Sequence, residues 1–162
     1  NTKNGNLYGS LLKITEESDH DSTSFTSSTW ISGGPQAGLA CPDNLCFDQK
    51  GNLWVTNDMS EDQMSTKDFT IFGNNGLFFI PTSGSQAGDP ILVASAPVDA
   101  ELTGPWFSPD GQTLFLSVQH PGSRTRHNMA KPTSTWPDGP GQLPKSAVVA
   151  IQGDLLNRLN PL

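Results

Sequence analysis

Short apolar runs alternate with polar, turn-forming stretches along the whole chain, which leaves little room for long helices. Leu7 to Ile14 reads as a strand, with apolar residues at Leu7, Leu12 and Ile14. The acidic, Ser- and Thr-rich stretch from Glu16 to Ser28 reads as an exposed loop, after which Trp30-Ile31 resumes an apolar run. Leu45 to Thr56 predicts a strand, a turn ending in Gly51 and a second strand. Phe69 to Phe72 and Gly76 to Pro81 read as a further pair split by Gly73-Asn74-Asn75-Gly76. Ile91 to Ala96 adds a strand, and Trp106 to Ser117 repeats the strand, glycine turn, strand design. Gly122 to Pro144 is a long irregular loop by its prolines and polarity, before a buried-type strand at Ala147 to Ile151.

Two of these segments are copies. Phe47-Asp48-Gln49-Lys50-Gly51 aligns with Phe107-Ser108-Pro109-Asp110-Gly111 at an offset of 60 residues. Leu53-Trp54-Val55-Thr56 aligns with Leu114-Phe115-Leu116-Ser117 at an offset of 61. A tight turn of this kind puts its glycine at positive φ, and the strand after it opens with large apolar residues that pack between sheets. Hairpins repeated at a fixed period predict an all-β chain of β-propeller blades, with an antiparallel sandwich as the plainer alternative. Trp54 and Phe115 are then expected in equivalent positions between sheets.

Propellers close with about four to eight blades, and 162 residues at this period supply fewer than three. The opening Asn1-Thr2-Lys3-Asn4-Gly5-Asn6 has neither a start Met nor the basic and apolar regions of a signal peptide. Both features predict a partial propeller, a piece of something longer. Its outer strands would need the remaining blades, a second copy or a covering loop.

Composition narrows the function classes. A net charge of −7 argues against a general nucleic-acid binder, which needs clustered Lys and Arg. No apolar stretch approaches the ~18 residues of a transmembrane helix. Cys41 and Cys46 are too few for a disulfide scaffold and match no zinc spacing, so they read as small buried hydrophobes.

Four polar clusters abut the strands: Pro42-Asp43-Asn44, Thr56-Asn57-Asp58, Glu101-Leu102-Thr103-Gly104 and Gln119-His120. Carboxylates and carboxamides at strand ends suit a hard cation such as Ca²⁺, which takes about six to eight oxygen ligands. The same pairs also serve as ordinary turns and strand stops. His120, beside Pro121-Gly122, reads as a structural hydrogen-bonding residue, and Glu16 to Asp21 as a solvated loop without a glycine to fold it round an ion. No EF-hand loop, HExxH, P-loop or GxSxG is present, and neither Ser108 nor Ser117 has a partnered His and Asp pattern.

Pro42-Asp43-Asn44-Leu45, Gly51 to Asp58, Glu101-Leu102-Thr103-Gly104-Pro105, Ser108 to Phe115 and Gln119-His120-Pro121-Gly122 together resemble the C-terminal part of PhoX-type alkaline phosphatases. Ser134 to Gly139 and the ending Val148-Val149-Ala150-Ile151 fit as well, and the likeness runs from about Leu7 to Ile151. The resemblance implies a secreted bacterial phosphomonoesterase on a six-bladed propeller, with iron and calcium in its central channel. Asp43, Asn44, Asp58 and Glu101 would be the matching metal-holding positions, and through calcium they would hold phosphate oxygens. Arg124 would be a phosphate partner by its fork of donors. The family's iron-binding cysteine is expected outside this stretch, so that role passes to neither Cys41 nor Cys46. The rival from another class is a non-catalytic, calcium-stabilised propeller that binds a ligand or partner on its channel face.

Overall fold

The computed structural model describes residues 5–17, 23–127 and 130–159. Its strands form antiparallel sheets in sequence order. The first sheet pairs β1 (Ser10–Glu16) with β2 (Phe25–Ser32). The second runs β3 (Pro42–Phe47), β4 (Leu53–Asn57), β5 (Gly76–Ile80) and β6 (Ile91–Ser95). The third runs β7 (Glu101–Phe107), β8 (Leu114–Gln119) and β9 (Ala147–Ile151). Helices are short: α1 (Glu61–Met64) after β4 and α2 (Asp154–Leu159) after β9. Among the described residues no helix is long and apolar enough to cross a membrane.

The sheets stack face to face, and alternation along the strands decides what each face meets. Leu53, Val55, Phe78 and Ile80 pack on Leu11, Ile31 and Leu39 beside the first sheet. Trp54, Leu77 and Phe79 point the other way, onto Leu102, Phe107, Leu114, Leu116 and Val118 of the third. β4 and β5 are therefore buried at every position, as strands covered on both faces must be. Successive meandering sheets stacked in this way are the blades of a partial propeller.

The copied turns share their inner closure. Gly51 and Gly111 stand at φ of +79° and +68°, and their amides donate to the carbonyls of Asp48 and Ser108 at 3.0 and 2.8 Å. The outer bonds of the two turns are Asp48 N to Asn52 O and Ser108 N to Thr113 O. The step in offset from 60 to 61 thus falls between the glycine and the second strand. Side chains differ: Asp48 accepts from the amides of Lys50 and Asn52 and from the buried indole of Trp54 at 3.1 Å. In the second copy Ser108 Oγ donates to Asp110, which accepts from the Gln112 amide.

Several expectations are corrected. Phe25 to Ser28 is strand rather than loop, because Thr and Ser suit an exposed two-stranded ribbon as well as a connection. The stretch Glu16 to Asp21 lies outside the described residues from Ser18 onward, as do Asn1 to Asn4. Thr70–Phe72 is a 3-10 turn, not a strand, and its aromatic neighbours Phe69 and Phe72 pack edge-on to Tyr8. Ser60 caps α1 in a reciprocal box with Gln63, a signature the apolar pattern hid. Glu101 to Gly104 does not merely abut a strand but belongs to β7, which passes through a bulge at Gly104-Pro105 with Gly104 at φ +61°. Cys41 and Cys46 are free thiols and only half-buried. Phe115 is not enclosed between sheets: it is 41% exposed, on the face of the third sheet turned away from the second.

Candidate functional site

The ends of β3, β4, β7 and β8 bring acidic residues from the second and third sheets together. Asp43 lies in β3, Asp58 follows β4 and Glu101 opens β7, opposite Gln119 at the end of β8. Glu101 is buried; its Oε2 accepts from Gln119 Nε2 at 3.0 Å and stands 3.5 Å from His120 Nε2. Burial chiefly, then Asp58 and Asp43, push its carboxyl above the usual range, while His120 pulls it down. Asp58 is raised in the same way, by burial first and then by Asp43, with Glu61 adding to the effect and His120 opposing it. The carboxylates of two sheets thus feel one another as like charges that water does not fully screen.

Asn44 lies beside Asp43 in β3 and bonds groups of both sheets. Its Oδ1 accepts from Thr103 Oγ1 and, at 2.8 Å, from the Gly104 amide, while its Nδ2 donates to Asp43 at 2.8 Å. Asn44 therefore ties β3 to the bulge of β7 and holds the Asp43 carboxylate from one side.

Beside these residues a cleft of about 300 Å³ is lined by Asp58, Met59, Ser60, Glu61, Met64, Asn75, Asp99, His120 and Ser123. Arg124 forms an ion pair with the buried Asp99 at 3.1 Å and reaches the Glu61 carbonyl at 3.4 Å. Asp99 also accepts from Thr133 Oγ1 at 2.7 Å, and its carbonyl faces His120 Nδ1 at 3.3 Å. Ser123 Oγ donates to Glu61. Glu61, Asp99 and Ser123 escaped the sequence reading because they lie in connections rather than at the ends of apolar runs.

Backbone strain gathers here as well. Cys41, Asp99 and His120 are non-glycine residues with positive φ, at +51°, +60° and +39°. Such a conformation costs an L-residue roughly 1–2 kcal/mol, and each stands within two residues of a carboxylate or carboxamide of the site. Hydrogen bonds hold the strain in place: the Cys41 amide donates to Tyr8 O and its carbonyl accepts from Asp58 N. Strained backbone over-determined in this way is concentrated at functional sites in proteins generally.

Among the described residues, no group of three or more His, Cys, Asp and Glu closes round a metal ion. The donor chemistry nevertheless suits a hard cation: carboxylate oxygens of like charge, with no Lys or Arg among the described residues paired to Asp58 or Glu101. These residues could supply part of a coordination sphere and leave the rest to other oxygens.

A family model described as alkaline phosphatase PhoX matches residues 1–122. No curated protein matches the chain. Among solved structures the chain is similar to Pseudomonas fluorescens PhoX in complex with vanadate, a transition state analogue, at 30% sequence identity and a TM-score of 0.73. That likeness covers 90% of this chain and 26% of the other, so the chain spans only the smaller part of its relative's length.

Proposed function

Because this chain belongs to the alkaline phosphatase PhoX family, we propose that it forms part of the active site of a secreted phosphomonoesterase. The observation that carries the reading is the meeting of Asp43, Asp58 and Glu101 at strand ends of two sheets, where burial and then Asp58 and Asp43 raise the Glu101 carboxyl and burial and then Asp43 raise that of Asp58. Asp43, Asp58 and Glu101 hold calcium in the full protein, and oxygens from the remaining blades complete its coordination. Iron, the other cofactor, takes its cysteine ligand from outside this stretch. A cation held by these carboxylates would supply positive charge to neutralise that of a phosphate ester during phosphoryl transfer.

Within the chain each residue has a part of its own. Asn44 orients Asp43 instead of ligating. Arg124, anchored on Asp99, keeps donors of its planar fork for a phosphate oxygen. His120 lies against Glu101 and lowers its carboxyl, which favours the charged form that a cation needs. The remaining blades cover the outer faces of the first and third sheets.

The test is hydrolysis of p-nitrophenyl phosphate by the full-length protein supplied with calcium and iron. Phosphate release is expected, with Glu101→Gln and Asp58→Asn each lowering kcat by about a hundredfold or more, the scale of a lost electrostatic contact to the transition state. Calcium that raises the melting temperature while no phosphate is released would support the non-catalytic propeller instead. Full activity in both variants would overturn the site assignment.

A further inference from the structure

Asn75 lies in the turn before β5 and is 1% exposed. Its carboxamide is used completely on backbone groups of two separate segments. Oδ1 accepts from the Met59 amide at 2.7 Å, and Nδ2 donates to the Met59 carbonyl at 3.1 Å and the Ala100 carbonyl at 3.2 Å. Met59 directly follows Asp58, and Ala100 directly precedes Glu101. One buried side chain therefore grips the chain next to each of the two carboxylates, which come from different sheets. Its own carbonyl accepts from the Ala96 amide at 2.8 Å, and Asn74 donates to the Ala96 and Pro97 carbonyls, so the grip on the connection into β7 is reinforced.

We propose that Asn75 is a positioning residue that sets the spacing between Asp58 and Glu101 and so determines how tightly the pair holds a divalent cation. The inference rests on the reading of these carboxylates as calcium-holding. The physical argument is one of opposition. Two carboxylates that repel one another tend to separate, and the apolar packing between the sheets that carry them is non-directional and fixes no spacing at the strand ends. A carboxamide with three bonds in a dry site resists it well, because each bond broken there leaves a buried polar group without water. No smaller side chain reaches both segments, and Asp at this position would lose both donated bonds.

The test is calcium binding by calorimetry on the full-length, metal-stripped protein, with melting temperature measured on the same samples. Asn75→Ala is expected to weaken calcium binding at least tenfold. Leu116→Ala, a truncation in the same core that removes none of the clamp's hydrogen bonds, is expected to lower the melting temperature comparably and leave affinity within about twofold. Should Asn75→Ala fail to fold, Asn75→Ser carries the same comparison, since its hydroxyl leaves room for a water among the same backbone groups. Equal affinity losses in the Asn75 and Leu116 variants, or none in the Asn75 variant, would overturn the inference alone. A wild type whose calcium affinity is indifferent to Glu101→Gln and Asp58→Asn would overturn the calcium reading and the inference with it.

Discussion

Trp54 and Phe115 occupy the same place in two copied hairpins, yet Trp54 is fully buried and Phe115 is 41% exposed. Each follows the first residue of the hairpin's second strand, and each points to the same side of its own sheet as the stack is followed along the chain. Trp54 meets Phe79 and Phe107 edge-on at 5.1 and 5.4 Å. Phe115 has Trp106 as its cross-strand neighbour and no sheet above it among the described residues. The difference is one of neighbours, not of local conformation.

Truncating the two aromatics should therefore have unequal effects in this chain. Trp54→Ala removes the centre of the larger core and also leaves Asp48 without its indole donor, so a loss of about 3–5 kcal/mol is expected. Phe115→Ala should cost less than about 1 kcal/mol, as exposed substitutions do. Urea unfolding of the two variants measures the contrast, and losses of similar size would refute the placement of Phe115.

Asp48 offers a second comparison, because its counterpart in the other turn is Ser108. Asp48 accepts two backbone amides and the Trp54 indole in a buried setting. Asp48→Ala strands those donors and should destabilise by about 1–3 kcal/mol. Asp110→Ala, in the exposed part of the second turn, should cost about half as much or less. A smaller loss at Asp48 than at Asp110 would show that the turn, rather than the indole bond, carries the effect.

The pH dependence of stability has a defined sign. Folding raises the carboxyls of Glu101 and Asp58, first through burial and then through like charges. A folded value above the unfolded one means the native state binds protons more tightly, so stability grows as pH falls into the raised range and declines above it. For the metal-free protein, Asp58→Asn with Glu101→Gln should gain stability over wild type at about pH 7 and lose that advantage towards about pH 4, near ordinary carboxyl values. Denaturation midpoints across this range decide it. A difference between variant and wild type that stays constant with pH would exclude the two carboxyls as its source.

Much of this architecture was legible from residue order alone, and the exceptions share a cause. The glycine turns, the strands β3 to β6, β8 and β9 and the placement of Asp58 and Glu101 at strand ends follow from local pattern, whereas the polar first half of β7 reads as lying outside its strand. Phe25 to Ser28 and Phe69 to Phe72 went the other way. A polar stretch became strand because β1 offered it hydrogen bonds, and an apolar one became a turn because Tyr8 offered its rings a packing site. At the site, carboxylates beside apolar runs stood out, while Asn75, Asp99 and Glu61 did not. Their roles depend on segments far away in sequence, and Asn75 in a Gly-Asn-Asn-Gly turn has the look of an ordinary turn residue.

The two ends of the stack carry the last prediction. Trp106, Phe115 and Val148 share the outer face of the third sheet, and Trp106 is 72% exposed. Leu12, Ile14 and Phe25 share a face of the first sheet and are exposed as well. Large apolar groups clustered on a sheet face, at both ends of one stack, are unusual on a free monomer and mark surfaces that other protein covers. The 17.3 kDa chain expressed alone should accordingly associate, and light scattering should report a mass well above that of one copy. Trp106→Lys combined with Val148→Lys should shift the mass toward the single chain, because a charge desolvated in an apolar contact is costly. The substitutions touch neither Asp58 nor Glu101, so they separate association from any effect on the site. A stable monomer of the unaltered chain would show that these faces tolerate water and need no covering sheet.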